Sequence, residues 1–209
     1  MVKVFGTFCS LQGESTHAGR PCFFIRLSGC NLRCTYCDTR GAWEGGADRS
    51  IEGLVREASE SGFPLIELTG GEPLIQDGAA ELLHGLEGIE GVRVLIETNG
   101  TQDISVVPDG VIAVMDVKCP SSGQQEWFDE ANIGRLRPHD EVKFVISCRD
   151  DYQWAREFII SHDLTKKCNA VLLSAVHGVP GAAALADWIL EDRMNVRFQL
   201  QLHKAIGHQ

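Results

Sequence analysis

Short apolar runs recur along this chain, separated by glycine-rich junctions and by stretches of helical periodicity. That alternation is the tightest constraint on its fold. Strands are predicted at Val4–Phe8, Phe23–Leu27, Leu65–Leu68, Val92–Glu97, Val111–Asp116, Glu141–Ser147, Ala170–Ser174 and Val196–Leu202. Ser50 reads as a helix N-cap, with Ile51, Leu54, Val55 and Ala58 on one face and Gly62 just past the end. Further helices are expected over Asp77–Leu86, Asp151–Ser161 and Ala182–Glu191. Strands buried on both faces and joined by helical crossovers make an α/β fold with a parallel sheet. Only about ten residues join the strand at Val92 to the one at Val111, which leaves no room for a crossover helix. A complete eight-unit barrel takes about 250 residues. The 209 residues here predict one domain, 1–209, built as a partial, trimmed (β/α) barrel with few crossover helices. Polar residues gather just after strand C-termini, at Thr69, Thr98, Asn99, Lys118 and Ser174, where such folds place ligands.

Hydrophobic residues make up 44% of the chain and charged residues 23%, which excludes a disordered protein. No apolar run reaches the roughly 18–20 residues of a membrane span, and the N-terminus lacks the apolar core of a signal peptide. Cytoplasmic residence is the expectation, with no membrane partner. A formal charge of −10 argues against nucleic acid, whose phosphates call for a basic face.

Eight cysteines would suit disulfides in a secreted scaffold, but three of them fall in Cys30-Asn31-Leu32-Arg33-Cys34-Thr35-Tyr36-Cys37, within a cluster loop at 28–39. In a reducing compartment such clustering points to metal or redox chemistry. Three thiolates at this spacing can hold a cubane [4Fe-4S] cluster and leave one iron open. The alternatives are a zinc site short of a fourth ligand, or three buried cysteines. Cys9, Cys22, Cys119, Cys148 and Cys168 show no paired spacing and read as small core residues. Trp43, Trp127, Trp154 and Trp188 read as packing or interface residues.

The Cys30-x3-Cys34-x2-Cys37 pattern, with Tyr36 before the last cysteine, resembles the signature of radical S-adenosylmethionine (SAM) enzymes. Thr69-Gly70-Gly71-Glu72-Pro73 is similar to that superfamily's glycine-rich SAM motif, whose bare backbone admits close approach of the ligand. The resemblance implies SAM chelated by the open iron, and cleavage of SAM to a 5'-deoxyadenosyl radical that takes a substrate hydrogen.

Further segments resemble one branch, the 7-carboxy-7-deazaguanine synthases of queuosine and deazapurine biosynthesis. They are Phe8–Glu14, Gly19–Arg26, Cys37-Asp38-Thr39, Glu97–Thr101 and Gln199–Lys204, so the likeness runs from about residue 4 to the C-terminus. It implies a ring contraction of 6-carboxy-5,6,7,8-tetrahydropterin to 7-carboxy-7-deazaguanine, with release of ammonia and regeneration of SAM.

By this resemblance Leu11, Gln12, Gly13, Glu14, Arg26, Thr69, His203 and Gln209 contact the pterin. Gly71, Asp116, Val117, Lys118, Ser174, Ala175 and Val176 line SAM, and Thr39 binds Mg2+ beside the cluster. The segment at about 195–209 closes over the substrate. The resemblance also implies an external electron donor of the flavodoxin or ferredoxin type, and a homodimer. For several of these residues a plainer role competes. Gln12-Gly13 also suits a simple turn, Glu14 and Lys118 also suit solvated charges, and a buried Arg26 also suits a structural ion pair. Two other functions compete with the synthase reading. One is a radical SAM glycyl-radical-activating enzyme, which would act on a partner's backbone. The other is a non-catalytic electron carrier or zinc scaffold.

Overall fold

A computed structural model of the chain describes residues 1–176 and 181–207. Its first strand, β1 (Val2–Leu11), turns back into β2 (Pro21–Leu27), and a short β3 (Ala47–Arg49) follows the cysteine loop. The central strands are β4 (Leu65–Gly70), β5 (Arg93–Thr98), β6 (Ile112–Asp116) and β7 (Glu141–Ile146). The last two are β8 (Ala170–Ala175) and β9 (Arg197–Gln199). They form one open sheet in the order β3-β1-β2-β4-β5-β6-β7-β8-β9. Neighbours from β2 through β9 run parallel, while β1 is antiparallel to both β2 and β3. This is the trimmed α/β half-barrel expected from the sequence, with the short β9 added to about six longer parallel strands. Both edges are three-residue strands, too short to recruit another sheet readily.

Helices cover the outer face. Ser50 caps α1 (Ile51–Glu60) by accepting from the Gly53 N–H at 3.1 Å, and Ile51, Leu54 and Ala58 turn inward. α2 (Ala79–Glu87) bridges β4 and β5. Between β5 and β6 the chain has space only for a single 3-10 turn at Ile104–Val106, as the linker length requires. A short α3 (Asn132–Arg135) precedes β7. α4 (Arg149–Ser161) and α5 (Leu164–Lys167) lead to β8, and α6 (Ala182–Glu191) leads to β9.

Alternation along each strand separates two environments. Ile25, Leu27, Ile66, Leu68, Val94, Ile96, Ala113, Met115, Val142 and Phe144 point out under the helices and form the main core. Cys22, Phe24, Leu65, Leu95 and Ile112 point the other way and form a small apolar floor inside the half-barrel.

β1 is longer than the sequence predicts, β3, α3 and α5 are not predicted by it, and two further departures show a physical cause. Val111 belongs to a turn closed by its own N–H on Pro108 O at 3.1 Å, so β6 begins one residue later. The last strand stops at Gln199, and α7 (Leu202–Ala205) begins where strand was expected to end. There Leu202 N–H donates to Gly13 O at 2.9 Å, so a tertiary contact overrides the local apolar pattern.

Two cysteines read as core residues, Cys9 and Cys148, are exposed; Cys22 and Cys119 are buried and Cys168 is half-buried. Among the tryptophans, Trp154 and Trp188 pack against the core and Trp127 is 62% exposed. Among the described residues no helix is long and apolar enough to cross a membrane.

Candidate active site

Above the apolar floor the inward positions turn polar. Arg26, Glu67, Thr69, Glu97, Asp116 and Lys143 line a cavity of about 590 Å3, the size of a site for a small molecule. Its roof is the cysteine loop, with Cys30, Cys34, Cys37, Tyr36, Asp38 and Thr39 facing the same space. Trp43, expected to be a packing residue, also lines it, with the Arg33 guanidinium 4.8 Å from its ring centre.

The roof is tied down at many points. The Arg33 guanidinium donates to Cys30 O at 2.7 Å and Leu32 O at 2.8 Å, and the Arg40 guanidinium donates to Thr35 O at 2.9 Å. Thr35 N–H and Oγ1 reach Ser122 O and Ser121 O. Gly29 sits at φ 98°, a backbone shape that favours glycine, and its carbonyl accepts from Glu72 N–H at 2.9 Å. The cysteine loop and the glycine-rich turn are therefore one unit. A Cβ on Gly71 would lie 2.5 Å from Cys30 Cβ and closer still to Gly29 O, so only glycine fits there.

Glu72 is fully buried beneath this turn. It accepts from Asn99 N–H at 2.6 Å, Thr98 Oγ1 at 2.8 Å and Leu74 N–H at 3.0 Å. Burial pushes its carboxyl up to about 7 despite those donors.

The residues suit a three-cysteine cluster. Cys30, Cys34 and Cys37 are all free, and burial pushes the thiols of Cys30 and Cys34 up, so a metal must draw off their protons. Among the described residues no three His, Cys, Asp or Glu side chains converge on a single-ion site.

The pocket beside the loop presents charged groups of both signs. Asp116 is buried with Oδ1 lacking a partner, while its Oδ2 accepts from Lys118 Nζ at 2.9 Å. Burial would raise the Asp116 carboxyl, but Lys118 and Lys143 together pull it below its ordinary value. Thr39 Oγ1 donates to Asp38 Oδ1 at 2.9 Å, placing two hard oxygens beside the cluster loop. Asp38 is also ion-paired to Lys204.

Of the remaining residues expected at the site, Leu11, Gln12, Gly13, Glu14, Val176 and His203 join the same cavity. His203 packs so closely on Gly13 that a Cβ there would overlap its ring. Val117 and Ala175 instead turn their side chains to the outer core, as alternation dictates. Ser174 points inward but is fully buried outside the lining, with Oγ unpartnered. Gln209 lies outside the described residues.

Glu67 and Lys143 are missed by the sequence reading, and Glu97 enters it only as part of the Glu97–Thr101 segment, with no role of its own. Each is a charged residue inside an apolar strand run, and a buried charge demands a partner. That argument, applied above to Arg26, identifies these three as well.

The chain matches the Radical SAM superfamily over residues 24–115, which spans β2 through β6 and the roof loop. It is 43% identical over 220 residues to a 7-carboxy-7-deazaguanine synthase of Koribacter versatilis, covering 98% of this chain and 96% of that one. It is 42% identical to the Chlorobaculum tepidum protein of the same name, covering 95% and 91%. Among solved structures, QueE from Escherichia coli superposes with a TM-score of 0.78 at 26% identity, covering 97% of this chain and 94% of that chain. Streptococcus suis SuiB shares the fold, with a TM-score of 0.59 at 15% identity over 82% of this chain and 48% of that chain. With the fold, the cysteine roof and near-complete coverage of these relatives in agreement, the chain belongs to the 7-carboxy-7-deazaguanine synthase family of radical SAM enzymes.

Proposed function

We propose that the chain converts 6-carboxy-5,6,7,8-tetrahydropterin to 7-carboxy-7-deazaguanine with loss of ammonia. The observation that carries this reading is the shared opening of Cys30, Cys34 and Cys37 onto a slot walled by Arg26, Glu14, Glu67 and Glu97. A flat ring edged with N–H groups and bearing a carboxylate needs such acceptors and such a cation. Cys30, Cys34 and Cys37 would hold a [4Fe-4S] cluster, which with SAM would supply the hydrogen-abstracting chemistry.

The chain's own residues bind, orient and enclose. The Glu14 carboxylate accepts ring N–H groups, and the Arg26 guanidinium, 5.5 Å from the Phe8 ring centre, pairs with the substrate's carboxylate or a ring carbonyl. Gln12 is held by Glu67, so its amide is oriented before substrate arrives. Gly71 gives SAM close backbone approach, Asp116 and Lys118 meet its polar groups, and Thr69 stands where the two ligands adjoin. Gln201 Nε2 donates to Glu14 Oε1 at 3.0 Å, which together with the Asp38–Lys204 pair straps the C-terminal turn over the slot and excludes water. Thr39, beside Asp38, would hold Mg2+, which would supply positive charge for the substrate's acid group. The electron comes from a flavodoxin- or ferredoxin-type donor, and the working unit is a homodimer in the cytoplasm.

The test is anaerobic incubation of iron-loaded protein with SAM, dithionite and the carboxytetrahydropterin. Formation of the deazapurine, raised by Mg2+ and less so in Thr39→Ala, is expected; no product from iron-replete protein refutes the reading.

A further inference from the structure

The lumen holds more acid than a neutral ligand site needs, and one lysine divides it. Lys143 is 2% exposed at the middle of β7, surrounded by carboxylates from three other parts of the chain. Its Nζ lies 2.7 Å from Glu14 Oε2 and 3.3 Å from Asp116 Oδ2, and it is ion-paired to Glu97. Glu67, 4% exposed on β4, with β5 and β6 between it and β7, makes no such contact; Gln12 Nε2 donates to its Oε2 instead. Lys118 stands against Asp116, whereas Glu67 has no ion pair among the described residues. It is pulled down only from a distance, by Lys143 first and Arg26 after it, against the larger push of burial and Glu97.

We propose that Lys143 is a positioning residue that sorts the lumen's carboxylates for the pterin: it holds Glu14, Glu97 and Asp116 as acceptors and leaves Glu67 as a hydrogen-bond donor. This rests on the pterin reading above.

Charge balance supports the division. Arg26, Lys118 and Lys143 can offset three carboxylates in the lumen but not a fourth, and like charges in one low-dielectric space do not all ionise. The titration tendencies agree. Burial pushes Glu14 up, but the charge and hydrogen bond of Lys143 outweigh it and keep this carboxyl ionised. Burial and the Glu97 charge push Glu67 well above the carboxylate range. Burial would lower Lys143, yet its three carboxylate neighbours hold it well above its ordinary value.

The other titratable groups nearby do not alter this. Glu141, one inward step below on β7, is occupied by Thr16. His203 across the slot is lowered chiefly by burial and is neutral. A protonated Glu67 next to ionised acceptors gives the ring a donor–acceptor pattern that an all-carboxylate wall lacks.

The test is anaerobic equilibrium binding of the carboxytetrahydropterin to iron-loaded, SAM-bound protein between pH 7 and 9. Wild-type affinity is expected to change less than threefold. Lys143→Met should bind at least thirtyfold more weakly at pH 7 and recover at least tenfold by pH 9, as the released carboxylates ionise late. Lys143→Arg should keep the flat profile with a loss within tenfold. A Met variant that binds like wild type, or is weakened equally at every pH, overturns the proposal. If the Met variant does not fold, the wild-type and Arg profiles decide: a tenfold loss from pH 9 to pH 7 in either overturns it. Protein that converts the pterin yet shows these contrary profiles sinks only this inference, whereas protein that neither binds nor converts it sinks both readings.

Discussion

The two faces of the same strands do opposite work. On β4, Ile66 and Leu68 face the helices while Glu67 and Thr69 face the lumen; on β6, Ala113 and Met115 face out while Asp116 faces in. The outer face gains stability from burial, roughly 1.5–3 kcal/mol for each large aliphatic side chain removed from water. The inner face costs stability, since it desolvates charges that recover only part of that loss from one another. The comparison teaches that a residue's role here follows from the parity of its position: a shift of one residue along a strand exchanges scaffold for chemistry.

The most severe test of that division lies above the lumen. Cys30→Ala, Cys34→Ala or Cys37→Ala should each lower 5'-deoxyadenosine formation at least a thousandfold while the far-ultraviolet circular dichroism stays that of the folded chain. Retained SAM cleavage in any of the three would break the assignment of the roof. An outward substitution should do the reverse. Leu68→Ala leaves a cavity in the main core and should cost about 2–5 kcal/mol in urea unfolding, with turnover per folded molecule within a few-fold of wild type. A Leu68→Ala protein of full stability but impaired turnover would erase the distinction between faces.

Gly71→Ala sits at the junction of the two regions. The added methyl must displace Gly29 or Cys30, so SAM affinity should fall ten- to a hundredfold, read by equilibrium binding, with a lowered melting temperature. The smallest effect is expected at the strap. Burial raises the Asp38 carboxyl, but the Lys204 hydrogen bond and charge, with help from Thr39, bring it to about 2. A lowered carboxyl stabilises the fold above its unfolded value near 3.8 and ceases to do so as pH falls through about 2. The Asp38 side chain is 53% exposed, so solvent screens the pair. Lys204→Met should therefore cost no more than ~1 kcal/mol, by the same amount anywhere from pH 5 to 9. A cost that varies across that range would show that another group sets the strap.

What the sequence made legible follows the same division. The cysteine triad and the Gly70-Gly71 turn are contiguous, so spacing alone exposes them, and the missing β5–β6 helix follows from counting linker residues. Lys143 and its partners are not contiguous. The strand order that sets β5, β6 and β7 side by side brings Glu97 and Asp116 to Lys143, while Glu14, 129 positions away, reaches it from the turn between β1 and β2. The sequence signal that was present, a charge inside each of three apolar runs, marks burial without naming the partner. Val117, Ala175 and Ser174 illustrate the converse: the sequence marks strand ends as ligand-bearing, but facing and depth decide which side chains reach the cavity.

The central claim is that three cysteine sulfurs hold a cluster whose fourth corner takes SAM. Electron paramagnetic resonance of the iron-loaded, dithionite-reduced protein measures it most directly. Addition of SAM should change the g-values of the reduced-cluster signal; a spectrum identical with and without SAM would contradict the account.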